Sequence, residues 1–548
     1  MLLVKYQTYN MASSKILELL FGKLTLANVA LAGLAFVSRL KSLLFRFPRR
    51  SPAHVHQCVL LPAYYFIYNV YFHPLAGIPG PKLYAAFDMM KVKEQMKGTI
   101  VWTITELHEK YGPVVRVAPN EVTFISAKAW QDIYGNRGGY PLPTAEAYGV
   151  HEKDFFGALS LLWVGDATQH ARHRKVLSPA FSDKSLRDQE PLIRQYVDLL
   201  VQRLAERKDS PVDLWAWLNY TTFDLIGDLT FGEPFGCLRE AKFHPWIAFV
   251  FSRLKMMMYG QIMITLGTIG TLITLLVPRR VRDEALDHIA FTKAKVNSRL
   301  ERQTQRPDFM TQILSQTAIG SAQKLSGTGI SEPELYADSN ILIMAGSETS
   351  ATLMAAILYH LLANPRVMAR LVREIRSAFP RAEDISFASV SRSAYLLAVI
   401  NEGLRSHPPL PVGISRVTRP EGATIDGHFV AGGTAVHVPH WACYHNSRNF
   451  RDAYEFVPER WLDGEEGAER YRDDNKAAFQ PFSIGARNCL GRSLAVMETR
   501  LILTLLLWNF DIELMEESKG WARQKVWMLY EKRPMWVRVT PVRREEGA

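Results

Sequence analysis

The sequence predicts a mainly α chain with a small β region, set behind an N-terminal membrane anchor. Three observations predict it. Pro481 to Ala495, PFSIGARNCLGRSLA, places Cys489 just ahead of an apolar, helix-competent run, LAVMETRLILTLLLW. Ser331 to Leu362, SEPELYADSNILIMAGSETSATLMAAILYHLL, reads as one long helix with a start and a stop signal. Two apolar segments near the N-terminus precede a stretch rich in proline and glycine.

Composition bounds the reading before any element is placed. With 48% hydrophobic and 22% charged residues, the chain can bury a large core and is not broadly disordered. A formal charge of +11 allows nucleic acid, an anionic membrane or an acidic protein as partner. The basic residues are spread and form no nucleic-acid motif, so nucleic acid is not expected. Cys58, Cys237, Cys443 and Cys489 are too scattered for a disulfide framework or a C-x-x-C zinc site, which points to a reducing compartment.

Leu24 to Val37 is apolar but short, and a basic tract follows it at Arg39, Lys41, Arg46, Arg49 and Arg50. Extended back to Ile16 it reaches the length of a span, at the cost of enclosing Glu18 and Lys23. Cys58 to Phe72, CVLLPAYYFIYNVYF, carries tyrosines suited to a membrane interface. The expected organisation is an uncleaved anchor over 1–73, with apolar segments at about 16–38 and 57–72, in preference to a cleaved signal peptide. His73 to Lys82, HPLAGIPGPK, cannot form a regular helix or interior strand, so 74–82 is a stiff proline-rich connector and 83–548 the globular domain.

KYGPVVRVAPNEVTFISAKAWQDIYG reads as a helix end, two short alternating strands and a further helix. In DATQHARHRKVLSPAF, His170 and Arg174 fall on one face of a helix, with Arg172 and Lys175 pointing elsewhere. By itself this is an ordinary solvated basic face. Phe243 to Val277 is apolar and reads as a roof over a lipophilic pocket that dips into the membrane surface, rather than as a third span.

In the long helix Ser331 and Glu334 form a capping box, Pro333 suits the first turn, and Asn364 with Pro365 ends the element. At 1.5 Å per residue it is about 45 Å long, enough to cross a domain. Its middle, Ala345-Gly346-Ser347-Glu348-Thr349-Ser350, sets a small pair, an acid and alcohols in an apolar segment. Gly346 weakens the helix and Thr349 can divert a backbone hydrogen bond, so this turn is expected to open or bend.

A further helix ends in NEGLRSHPPLP, where Glu402 and Arg405 are three apart and able to pair. Leu410 to Ile414 is followed by Arg416, and ATIDGHFVAGGTAVHVPHWACYHN reads as short strands with glycine turns. FVPERW contributes Arg460. In the cysteine stretch, Phe482, Gly485, Arg487, Cys489 and Gly491 stand at F-x-x-G-x-R-x-C-x-G. A cysteine entering a helix suits a thiolate, two glycines permit a tight loop that a flat ligand can approach, and the arginine can meet an anion. Together they ask for a haem with one axial thiolate.

This pattern resembles the haem-binding loop of the cytochrome P450 family, with every fixed position filled. The wording of the chain is most similar to filamentous-fungal microsomal members, and the resemblance runs from about Leu60 to the C-terminus. It implies the cytochrome P450 fold, with Cys489 as axial ligand of the iron of haem b. Phe482, Gly485, Arg487 and Gly491 would form the loop, and His170, Arg174 and Arg416 would contact the haem propionates. Ala345 to Ser350 matches the family's oxygen-activation hexad, which gives Thr349 proton delivery and Glu348 its supply. Glu402, Arg405 and Arg460 would form a buried network bracing the cysteine loop, in which Trp461 stands where the family usually has phenylalanine. Met344, Ala345, Leu410, Val412 and Ile414 would line the substrate pocket.

The implied activity is a membrane-bound monooxygenase that inserts one oxygen atom from O2 into a lipophilic small molecule, in secondary metabolism. Since the chain has no flavin or nicotinamide fingerprint, the resemblance implies an NADPH-cytochrome P450 reductase as partner, with cytochrome b5 as a second candidate. Arg172 and Lys175 are candidates for meeting such a redox partner. The implied location is the endoplasmic reticulum membrane with the catalytic domain facing the cytosol. A haem-thiolate isomerase or dehydratase working without O2 would share Cys489 but need not keep Glu348 and Thr349. A non-enzymatic haem or gas-binding protein would not need the roof, the anchor and the relay together.

Overall fold

The computed structural model describes residues 53–135, 141–144, 156–208, 210–247, 259, 262, 279–302, 306–316, 329–464 and 468–543. The chain divides into two compact units, Met1–Tyr64 and Tyr65–Ala548. The anchor segment expected at about 16–38 and most of the roof expected between Phe243 and Val277 lie outside the described residues. The later apolar segment is the helix Ala53–Ile67, continued by a π-helical turn, Tyr68–Phe72.

The second unit is built around the long helix, Glu332–Ala363. Its start follows from the side chains expected there: the Glu334 carboxylate accepts from the Ser331 backbone N–H at 2.6 Å, with Pro333 in the first turn. Asn364 leaves helical geometry at φ −127°, and Pro365 opens the next helix, Pro365–Ala378. The long helix packs closely on Leu214–Phe231, a helix buried at every position. Among the described residues it alone is long and apolar enough to cross a membrane, but most of its apolar window is buried, as befits a core helix.

Its middle does not open. The element is helical throughout, and the Thr349 and Ser347 hydroxyls donate to the carbonyls four residues back, at 2.6 Å and 2.5 Å. A carbonyl oxygen has two lone pairs, so it takes the hydroxyl without losing its helical N–H. Gly346 serves close packing instead: a Cβ there would sit 3.0 Å from Ile226 Cδ1 on the neighbouring helix.

Among the described residues, three small sheets complete the unit. The first has the order β1 (Val114–Ala118), β2 (Glu121–Phe124), β7 (Ala435–His437), β4 (Arg416–Val417). β1 and β2 are antiparallel, β2 and β7 parallel. The expected alternation fails in β1, which is buried at all five positions because helices on its flank cover the side that would otherwise face water. A second sheet orders β3 (Val212–Asp213), β9 (Trp536–Pro541) and β8 (Phe510–Leu514). The third is the hairpin of β5 (Ala423–Ile425) and β6 (His428–Val430), turned by Asp426 and Gly427, both at positive φ.

The proline-rich stretch is packed rather than free. Leu75 is fully buried, Pro79 O accepts from Arg116 N at 2.8 Å, and Arg116 Nη1 donates to Asn69 O at 2.7 Å. Further along, the helix Ala394–Ser406 reaches the long helix through Gly403, where a Cβ would meet Ile357 Cγ1 at 2.3 Å. Gly403→Ala should therefore overpack this contact and cost about 1–3 kcal/mol. Thermal or denaturant unfolding checks it, and an unchanged midpoint would mean the two helices separate freely.

Candidate active site

The site is assembled from the loop before the helix Arg492–Asn509, the helix Ala167–Leu177 and the middle of the long helix. Ser483 and Gly485 adopt positive φ of 57° and 74°, which curls the loop so that Phe482 O accepts from Cys489 N at 2.8 Å. Glycine takes that geometry without strain; serine does so only because the loop fixes it. Gly491 caps the helix.

Cys489 is accessible, yet enclosed by protein deeply enough that burial raises its thiol pKa. A side chain with both properties faces an internal space. The Gly491 N–H, then Arg174 and Arg492, pull the pKa the other way by favouring S⁻. A Cβ at Gly491 would meet nothing within 4 Å, so the space continues over the loop.

Cations converge beside this thiol. His170 is buried, and burial followed by the charges of Arg487, Arg174 and Arg416 lowers its pKa to about 3. It is therefore a neutral imidazole among three guanidiniums. Arg174 also clamps the loop itself, donating to Asn488 O at 2.6 Å and Asn488 Oδ1 at 2.7 Å, and Arg487 donates to Gly165 O at 2.9 Å. An enclosed thiol, open space over a glycine and a cationic rim fit a flat group with an axial metal and anionic side groups, as haem is. Cys489 would ligate its iron, and His170, Arg174, Arg416 and Arg487 would meet its carboxylates.

Arg172 departs from its expected part in meeting a redox partner. It pairs with Glu334 at 2.5 Å and donates to Gly329 O at 2.5 Å, tying its helix to the start of the long one. Beside it His173 bridges Glu334 at 3.2 Å and Asp338 at 2.8 Å. Burial opposes protonation of His173, but the hydrogen bond and charge of Asp338, joined by Glu334, outweigh it and raise its pKa. Lys175 remains exposed.

In the long helix Ala345 is exposed and Thr349 half-buried, one turn apart, while Ser347, Glu348 and Ser350 are buried. Thr349 thus faces accessible space. Glu348 does not share it: its carboxylate pairs with Lys532 at 2.6 Å, and Lys532 also donates to the Thr352 hydroxyl at 2.5 Å. Burial raises the Glu348 pKa, and Lys532 opposes the rise. Of the pocket candidates, Met344, Leu410, Val412 and Ile414 are half-buried; Met344 and Val412 pack on different core clusters.

Glu402, Arg405 and Arg460 do meet, all fully buried. Glu402 accepts from Arg405 Nη2 at 2.8 Å and Nε at 2.9 Å, from Arg460 Nε at 3.2 Å and from Val457 N at 2.8 Å. Trp461, the departure from the family pattern, adds an indole N–H at 2.9 Å that phenylalanine lacks. Arg460 also pairs with Asp474, a member no local motif announces. Burial would raise the Glu402 pKa, but Arg405 and Arg460 outweigh it and hold it below the usual range. The network adjoins the cysteine loop through Phe479, which packs on Trp461, and through Gln480 N, which donates to Tyr444 Oη at 3.1 Å. Glu402→Ala should leave the Arg405 guanidinium buried without a carboxylate, and Arg460 with Asp474 alone, and cost about 3–5 kcal/mol, read as a drop in unfolding midpoint.

Comparison with known proteins agrees with this site. Residues 78–536 match the family described as Cytochrome P450. "Cytochrome P450 monooxygenase efuB" of Hormonema carpetanum is 41% identical over 86% of this chain and 93% of its own length. "Cytochrome P450 monooxygenase astA" of Talaromyces wortmannii is 40% identical over 87% and 94%, respectively. "Cytochrome P450 monooxygenase lcsI" of Purpureocillium lilacinum is 38% identical over 96% and 97%. With an accessible, enclosed cysteine at the family's fixed position, the chain belongs to the cytochrome P450 family, as a haem-thiolate monooxygenase.

Proposed function

We propose that the chain inserts one oxygen atom from O2 into a lipophilic small molecule of secondary metabolism, using electrons from an NADPH-dependent reductase. Cytochrome b5 is a second candidate donor. The observation that carries the reading is the accessible pair Ala345 and Thr349, one turn apart in a helix whose apolar window is mostly buried, together with a loop built to expose Cys489. Haem b, when bound at Cys489, supplies the redox centre at which O2 is activated. Cys489 contributes electron density as a thiolate, with the Gly491 N–H, Arg174 and Arg492 meeting its charge.

Thr349 Oγ1 handles the proton. Its own hydrogen is donated to Ala345 O at 2.6 Å, so its lone pairs are what it offers to a water in the accessible space. Passing a proton onward requires it to release Ala345 O. Glu348 supplies protons to this turn only after loosening from Lys532.

We place the enzyme at the endoplasmic reticulum membrane, with residues 1–73 as anchor, 74–82 as connector and 83–548 as catalytic domain facing the cytosol. Tyr65, Ile67, Tyr71 and Phe72 support this, being at least half exposed on one short segment, where aromatic rings suit a headgroup layer. Basic side chains left in water, such as Lys175, suit an acidic reductase surface.

The reduced, carbon-monoxide-bound protein should show the red-shifted Soret band of thiolate ligation, and Cys489→Ser should lack it. An unshifted band in folded wild-type protein would overturn the assignment. Thr349→Ala should bind substrate normally yet release several-fold more hydrogen peroxide per electron pair. Intact coupling in that variant would remove Thr349 from the proton path.

A further inference from the structure

The helix Ala167–Leu177 is fastened to both sides of the site. Arg174 holds it to the cysteine loop through Asn488, while Arg172 and His173 hold it to the first turns of the long helix. His173 is fully buried. Its Nδ1 lies 2.8 Å from Asp338 Oδ2, and its Nε2 lies 3.2 Å from Glu334 Oε1. Asp338 is fully buried too, and its other oxygen accepts from Leu161 N at 2.6 Å. One imidazole and one carboxyl group thus join the stretch before the helix, the helix itself and the long helix.

With a carboxyl oxygen against each ring nitrogen, a neutral imidazole would turn an unprotonated nitrogen toward one of them, whereas an imidazolium offers N–H to both. It also balances a charge that Asp338 carries away from water. We propose that His173 works as a doubly protonated strut between Asp338 and Glu334, which fixes the helix carrying His170 and Arg174 over the haem site and so slows haem loss. It is a positioning residue, acting through those two side chains.

Few groups set the charge at this point. Asp338 and Glu334 face the ring from the long helix, and Arg172, which pairs with Glu334, Arg174 and His170 stand on its own helix. His170 keeps a neutral ring down to about 3, so it is silent above pH 6. The turn Ser178–Phe181 and the helix Phe309–Ser315, which pack on this helix, carry no ionisable side chain, and neither do residues 156–164. Burial opposes protonation of His173, but Asp338 and then Glu334 outweigh it and raise its pKa. A histidine raised in this way stabilises the fold fully below its ordinary pKa and loses that contribution as pH rises through the folded value. The strut is therefore in place at pH 6 and weakens toward pH 9. Burial also raises the Asp338 pKa, with His173 opposing, and its titration would act in the same direction. Variants at the two positions separate them.

The test follows haem transfer from the full-length, haem-loaded chain to excess apomyoglobin between pH 6 and 9, for wild type, His173→Gln and Asp338→Asn. Wild type should lose haem several-fold faster at pH 9 than at pH 6. His173→Gln keeps a donor but no charge, so it should already lose haem several-fold faster than wild type at pH 6 and change less than twofold up to pH 9. Asp338→Asn removes the anion that holds the proton on His173, so its rise should come at lower pH than in wild type. A wild-type rate that stays within twofold across the range would overturn the strut by itself, which decides the matter even where a variant fails to fold. A pH dependence kept in His173→Gln would belong to Asp338 and overturn it equally, and a rise at unchanged pH in Asp338→Asn would overturn the pairing. Failure of the haem-thiolate assignment would show separately, as an unshifted carbon-monoxide spectrum in wild type.

Discussion

Placing charge where water cannot reach it is the constraint on which the rest of the molecule depends. Glu402 meets it most fully, with N–H donors from Arg405, Arg460, Val457 and Trp461 gathered on one carboxylate. Arg405 spends its remaining donors on the carbonyls of Tyr444, Ala453 and Glu455. A stretch with little regular structure, 444–461, is thereby tied to a helix, and the residues just ahead of the cysteine loop rest on it. An ion pair so deep adds little net stability over an apolar core of the same shape. What it adds is a single arrangement of irregular backbone, which a loop presenting one sulfur requires.

The same constraint divides the oxygen-handling turn. Glu348, Thr349 and Ser350 are consecutive, so a helix points them about 100° apart. Each meets a different solution to burial: a lysine for Glu348, accessible space for Thr349, and an uncharged hydroxyl for buried Ser350.

What the sequence made legible was local. The Ser331–Glu334 start, the Asn364–Pro365 stop, the Glu402–Arg405 pair and the Asp426–Gly427 hairpin each rest on residues within a few positions of one another. What it hid was distant. Arg172 finds Glu334 across 162 positions, Lys532 finds Thr352 across 180, and Arg174 reaches Asn488 across 314. No periodicity encodes such pairings. β1 lost its alternation for the same reason, since the elements that cover its outer face come from elsewhere in the chain. Gly346 was read as a weak point because its use, close approach to Ile226, belongs to another helix.

The stretch ahead of the first sheet has a mechanical meaning. Leu75 is sunk in the core, Pro79 is bonded to the backbone of β1, and Arg116 reaches back to Asn69, whose amide in turn holds Ala86 O at 3.0 Å. A chain fastened at so many points cannot act as a swivel. Any torque applied at Tyr65–Phe72 passes directly into the sheet, so this segment is a rigid mount. The pose of Tyr65–Phe72 against the sheet is then a fixed property of the fold, written in the Asn69–Arg116 contact.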